Sequence, residues 1–564
     1  MIGEDNEATV QVSEVSVTEK EDTNDKKRFV LNKTLRNGLI LSVITAYFAW
    51  ATYHYVDKYG GSWINFNATT CNGYGFLVIL YGFILFGFIK VYVLNPLVFP
   101  ILTKSFEDFK WKFNQSADKK PLLKGIIRHR NKIIYGVFFT AVAIYLIIDT
   151  SDNRNRLIPL SGLFVFLIIG FIFSNSKSNI CWDTVIWGII LQFLFGLLTI
   201  RWDVGRNILD CVGNKVNTLL DYGFTASEFP YGEELVQKEK VFAFRSLSTV
   251  FFINFLANIL YYYGIMQKVV TSVGSFMQWV MGTSICESVS SAATIFFGMS
   301  EGPILLAPYL EHLTNSEIHS VMTSGFAMVS GSVMAGYISY GARAQDLITA
   351  SIMSAPAALC YSKLMHPETE KVVLQKENIE TVEIEFESAL DAASKGATNA
   401  IGMVQGIIAG LIAFLAAVYM INDILGWIGM LIGYSDPMWT LELITGKIFI
   451  PISFIMGVPW DECESVATLI GIKTMVNEFV AFKKMGEMLE QGLLGARTKV
   501  IATYAICGFS NPGSIGIMMS LLAALIPSKR DVVAKLVFSS WFAGALVCFM
   551  TACIAGTLMP DDIL

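Results

Sequence analysis

Apolar runs of membrane-spanning length recur along this chain. They fall at about 38–54, 74–101, 133–149, 158–174 and 183–200, resume at about 241–265 and continue nearly to the end. A segment so apolar prefers hydrocarbon to water, and inside a bilayer its backbone must satisfy its own hydrogen bonds as helix. The expected fold is therefore an all-α polytopic membrane protein. Composition agrees: only 16% of residues are charged, against about a quarter in a soluble domain. The net charge of −6 resides in loops and at the N-terminus. No basic domain or basic–aromatic patch points to nucleic acid as a partner. The first 28 residues are polar and acidic, lack a signal-peptide pattern and read as disordered, which leaves the first transmembrane helix as the insertion signal. Most of the nine cysteines lie within apolar runs, a pattern of free thiols with no zinc-type spacing.

Lysine and arginine set the orientation. The loop 104–132 carries Lys104, Lys110, Lys112, Lys119, Lys120, Lys124, Arg128, Arg130 and Lys132, so it is expected in the cytosol, together with the N-terminus. The 54–73 loop then lies outside, where the sequon at Asn67 is a possible glycan acceptor. Sequons at Asn32 and Asn114 fall on the cytosolic side and should stay bare. The stretch 201–240, with Arg201, Arg206, Asp210, Lys215 and Asp221, is too polar to span and fits the membrane interface.

Two segments match. CESVSSAATIFFGMSE runs from Cys286 to Glu301, and CESVATLIGIKTMVNE from Cys463 to Glu478, with the closing glutamate at the same offset. FMQWVMGTS precedes the first and FIMGVPW the second; downstream lie GFAMVSGSV (Gly325–Val333) and GFSNPGSI (Gly508–Ile515). The pattern reads as an internal duplication of the kind found in transporters, with broken helices meeting near the membrane midplane. Gly and Pro around Ser300 and Glu301 argue against a continuous helix and for a re-entrant hairpin. A glutamate at membrane depth is costly and is a functional candidate for that reason. The alternative is that these glutamates lie in loops or pair with Lys473. Glu287 and Glu464 are expected to cap or orient the hairpins.

These residues resemble the concentrative nucleoside transporter family. GTSICES at 282–288, SEGP at 300–303, PYLEHLTNSE at 308–317, SGSVMAGYIS at 330–339, SAPAAL at 354–359, the Gly471–Ala481 motif with Lys473, Asn477 and Glu478, and CGFSNPGSIGI at 507–517 carry the likeness. It covers about 158–557 and, more loosely, three helices before that. The resemblance implies inverted repeats with two re-entrant hairpins, a scaffold and a mobile transport domain, a homotrimer in the plasma membrane, and a nucleoside carried inward with a cation by alternating access. It implies no prosthetic cofactor; the coupling ion is Na⁺ or H⁺. By position, Met299, Ser300 and Glu301 form the first hairpin tip around the nucleobase, and Val333 is an apolar wall by the base. Asn477 belongs to the same site. Glu478 accepts from the ribose hydroxyls, Asn511 and Ser514 are polar ribose partners, and Phe509 is an aromatic wall. The chemistry agrees for ribose: an ionised carboxylate only accepts, and hydroxyls donate to it. The expected organisation is a disordered N-terminus 1–35, N-terminal transmembrane helices 36–157, scaffold helices and an interfacial segment 158–240, a first repeat 241–362, a charged connector 363–397, and a second repeat with C-terminal helices 398–564.

Two departures stand out. Met299 replaces a glutamine, and a thioether cannot read a base edge by hydrogen bonds. Either base selectivity is broad or shifted towards purines, or the substrate is a non-standard nucleoside. The positions matching the family's sodium ligands are Thr294, Met328 and the carbonyls of Phe297 and Val329. Thr294 keeps one hydroxyl, whereas Met328 is a poor ligand for a hard cation. Proton coupling through Glu301 or Glu478, a rearranged sodium site and an uncoupled facilitator all remain open, as does a transport-dead sensor on the same fold. A carboxyl group drawn out of water holds its proton more tightly, which suits the first of these. No nucleophile–base pair or phosphate loop suggests an enzyme, and five histidines in the whole chain make a histidine-based site improbable.

Overall fold

The computed structural model describes residues 23–59, 71, 73–90, 92, 130–307, 309–331, 333–372, 386–434 and 438–559. Asn67, most of the basic loop, the first 22 residues and the middle of the charged connector lie outside the described residues. The described residues form α-helices and no strand. The chain divides into two compact units, 1–129 and 130–564.

In the first unit, α1 (Thr23–Tyr59) packs on α2 (Tyr74–Ile89) through aromatic pairs. The Phe48 and Tyr81 rings stack with centroids 4.2 Å apart, and those of Tyr55 and Tyr74 4.4 Å apart. The second unit opens with α3 (Arg130–Asp149), α4 (Ile158–Ile172) and α5 (Trp182–Gly196), each apolar on all sides as lipid-facing helices are. α6 (Asp203–Tyr231) is the polar stretch expected at the interface and is amphipathic, with Phe229 almost wholly exposed. Arg156 is fully buried. Its guanidinium holds Asp149 at 2.7 Å and donates to the carbonyls of Thr557 and Leu558 at 3.2 and 3.4 Å. A cation there complements a helix C-terminus and fastens α3 to the end of the chain.

Among the described residues, the rest of the unit holds two sets of seven α-helices in the same order. The first is α7 (Ser248–Tyr262), α8 (Ile265–Met281), α9 (Ile285–Phe297), α10 (Glu301–Ile304), α11 (Asn315–Ala327), α12 (Met334–Ser339) and α13 (Ala344–Met365). The second is α14 (Ala389–Leu431), α15 (Leu441–Ile455), α16 (Cys463–Met475), α17 (Glu478–Glu490), α18 (Ala496–Ile506), α19 (Pro512–Leu525) and α20 (Arg530–Leu558). The matched segments become α9 and α16, thirteen residues each. The first set turns sharply early: α7 and α8 meet at 80°, about a left-handed Gly264. The repeated order, with a hairpin between broken helices in each set, is that of an inverted repeat.

The breaks follow the sequence. α9 ends at Gly298, whose φ of +87° no side chain adopts cheaply. α18 ends before Cys507, and α19 restarts at Pro512, where the missing N–H is not needed, with Asn511 as N-cap. Glu287 serves in a capping box with Ser284 and also meets Lys363 at 2.9 Å. Glu464 instead makes an exposed pair with Lys447 at 2.6 Å, so the two CESV glutamates hold their hairpins differently. Seven cysteines are free thiols as expected; Cys71 and Cys211 are disulfide-bonded.

Candidate functional site

Each matched glutamate opens the helix beyond its break: Glu301 starts α10 and Glu478 starts α17. Both line one cavity of about 790 Å³. Met299, Ser300, Val333, Asn477, Phe509, Asn511 and Ser514 line it as well, so all nine residues expected at the substrate site are brought together. The walls are the two hairpin tips, the α11–α12 break, the α18–α19 break and one face of α14.

Glu478 is buried and held on both oxygens. Oε2 accepts from Asn511 Nδ2 at 2.7 Å, and Oε1 accepts from Tyr337 Oη at 3.2 Å. Asn511 is fixed in turn, because its Oδ1 caps α19 by accepting from Ser514 N at 2.9 Å. Asn477 Oδ1 caps α17, accepting from Val480 N at 3.0 Å. Two helix N-termini thus converge on the carboxylate and favour its charge. Tyr337 is clamped between Phe479 and Phe482, with centroids 4.8 and 4.6 Å away. Lys473 pairs with neither glutamate: its ammonium donates to Ser510 and lies 5.9 Å from the centroid of the Phe549 ring. Glu301 is half-buried and has no side-chain partner among the described residues.

Of the four candidate cation residues, Thr294, Met328 and Val329 are buried and Phe297 is partly buried. Thr294 Oγ1 donates to the Ser290 carbonyl at 2.8 Å. The Phe297 carbonyl accepts from Ser330 Oγ at 2.8 Å, and Gly331 N donates to the Phe296 carbonyl at 3.2 Å. The end of α9 is therefore pinned to the α11–α12 break that contains Met328 and Val329, both fully buried.

Reading the sequence missed Tyr337, which looks like core in an apolar run, and the α14 wall. That wall includes Asn399, Met403 and Gly402, Gly406 and Gly410. A Cβ on any of the three glycines would meet nothing within 4 Å. Their four-residue spacing was the available signal, since it puts them on one helix face.

Comparison with known proteins agrees with this geometry. The profile described as "Na+ dependent nucleoside transporter C-terminus" matches residues 346–556, its N-terminus counterpart matches 161–234, and "Gate: Nucleoside recognition" matches 243–344. Solute carrier family 28 member 3 of Eptatretus stoutii is 41% identical over 466 residues, 79% of this chain and 67% of that protein. The Mus musculus protein of the same name is 41% identical over 76% of this chain and 63% of its own length. Sodium/nucleoside cotransporter 2 of Mus musculus is 38% identical over 76% and 66%. The chain thus spans about two thirds of the length of these relatives. The structure of CNTnw in an inward-facing substrate-bound state matches with a TM-score of 0.68 at 35% identity, covering 72% of this chain and 98% of that one.

Proposed function

The chain belongs to the sodium-dependent nucleoside transporters, the concentrative nucleoside transporter family, and on that premise we propose that it imports nucleosides together with a cation by alternating access. Members of this family are transporters, not enzymes. The observation that carries the reading is the clustering of Met299, Ser300, Glu301, Val333, Asn477, Glu478, Phe509, Asn511 and Ser514 on one cavity. A ribose offers hydroxyl donors, and Glu478 with Asn511 offers a charged acceptor beside an amide that both donates and accepts. The base end is apolar around Met299 and Val333, so base selectivity is broad and tolerant of purines. The working assembly is a homotrimer in the plasma membrane with its N-terminus in the cytosol.

Uptake of labelled uridine and adenosine tests this in a transporter-poor cell, in sodium or choline buffer, at neutral and mildly acidic pH. Uptake of both nucleosides above control is expected. Surface protein that binds a nucleoside without moving it would make the chain a sensor. Surface protein that neither binds nor moves either one would point to another substrate.

A further inference from the structure

Below the first hairpin tip, α9, α11 and α13 pack against one another, and the seam between them is polar. At one end Lys363 of α13 holds Glu287 of α9 at 2.9 Å and donates to Ser316 Oγ of α11 at 2.9 Å. At the other end Ser330, just beyond α11, donates to the last carbonyl of α9, that of Phe297. α9 and α11 therefore run side by side in the same direction. Helical spacing carries the Glu287 stripe of α9 on to Ser290 and Thr294. On α11, Ser320 Oγ lies 2.9 Å from Ser362 Oγ of α13, and Ser324 follows one turn on. On α13, the Ala355 carbonyl accepts from Ser291 Oγ of α9 at 3.0 Å, and Ser351 lies one turn from Ala355.

Three helices thus each bring a serine to the same seam. Ser290, Ser324 and Ser351 are at most 1% exposed. None of their hydroxyls has a hydrogen-bond partner among the described residues. Serine and threonine within helices commonly bond back to the carbonyl one turn earlier; Ser288 and Thr294 do so here, at 2.6 and 2.8 Å. A buried hydroxyl left without a partner forfeits the hydrogen bonds it made in water, and three such groups in one seam point to an occupant that they serve together.

We propose that Ser290, Ser324 and Ser351, with Thr294, ligate the coupling sodium ion, in a site displaced along the seam from the Thr294, Phe297, Met328 and Val329 set. The proposal rests on the transport reading above. Neutral oxygen ligands suit a hard cation, whereas the Met328 thioether does not. Their lack of charge favours a monovalent ion, because oxygen sites for divalent cations rely on carboxylates. The link to substrate is geometric. A Cβ on Gly302 would lie 2.8 Å from Thr294 Oγ1, so the limb that starts with Glu301 rests directly on the site. Filling the seam fixes that limb and with it the hairpin tip.

The test uses the full chain in proteoliposomes, with sodium titrated against choline at constant ionic strength. Labelled uridine and adenosine uptake is measured, together with thermal stabilisation by sodium and by nucleoside separately. In the Ser290→Ala, Ser324→Ala double variant, half-saturating sodium should rise by about 10-fold or more, and sodium should no longer stabilise the protein. Stabilisation by nucleoside in choline should persist, which a merely structural lesion would not allow. If the double variant fails to reach the bilayer, Ser351→Ala alone should show the same direction of change. An unchanged sodium dependence in the variants would overturn the proposal. So would wild-type uptake indifferent to sodium, though the nucleoside reading would survive that result. Wild-type protein that neither binds nor moves a nucleoside would instead remove the transport reading itself.

Discussion

Glu478 and Glu301 hold matched places in two repeats, yet their surroundings differ. Glu478 has donors on both oxygens, whereas Glu301 has no side-chain partner among the described residues. Glu478→Gln keeps the size but removes the charge that makes the carboxylate a strong acceptor. A charge-assisted hydrogen bond is worth about 1.5–3 kcal/mol, so uridine uptake efficiency should fall about 10- to 150-fold, with surface biotinylation unchanged. Tyr337→Phe removes a longer neutral bond at 3.2 Å and should cost less than about 10-fold. Equal losses in the two variants would mean that Tyr337 does more than hold the carboxylate. Glu301→Gln should also reduce uptake strongly, and full uptake would remove its assigned role. The glutamates were legible because charge is conspicuous in an apolar chain. Tyr337 was not: a tyrosine between Gly336 and Ile338 reads as core until its hydroxyl is seen to point at Glu478.

At the scale of elements, the hairpins depend on where helices stop. Gly298 has φ +87° and ψ −168°, a region essentially reserved for glycine. A Cβ there would also meet the Ser330 Cβ at 2.4 Å, against the segment that pins the end of α9. Gly298→Ala therefore combines about 1–3 kcal/mol of backbone strain with a clash, and should lower the thermal unfolding temperature and uptake together. Gly402→Ala is the control, since its Cβ meets nothing and alanine favours helix by about 1 kcal/mol. It should unfold no earlier than wild type. If both variants lose stability alike, the break at Gly298 is not what holds the tip. The breaks at GMSEGP and GFSNPGS could be read from Gly and Pro alone. The seam of Ser290, Ser324 and Ser351 could not, because serines spread over three helices meet only once those helices pack.

At the scale of the molecule, the cavity's length along α14 bears on which side of the membrane it reaches. Its wall on that helix runs from Asn399 to Leu411, about 18 Å at 1.5 Å per residue, which is more than one nucleoside needs. The Asn399 end lies one turn from Lys395, which pairs with Asp391 at 2.8 Å in an exposed position. Such an exposed ion pair marks the membrane surface, on the side of the connector between the two repeats. With the N-terminus in the cytosol as proposed, the five apolar runs before residue 201 and an odd number of crossings expected in the first repeat together put that connector in the cytosol too, and the cavity then faces inward. Gly402→Cys tests this, in a background carrying Cys181→Ser because that free thiol is exposed. A membrane-impermeant thiol reagent should label the new cysteine in inside-out vesicles and spare it in right-side-out vesicles. Saturating nucleoside should slow the labelling, because Gly402 lines the same cavity as Glu478. Labelling only in right-side-out vesicles would reverse the orientation, and labelling indifferent to nucleoside would separate the α14 wall from the substrate site.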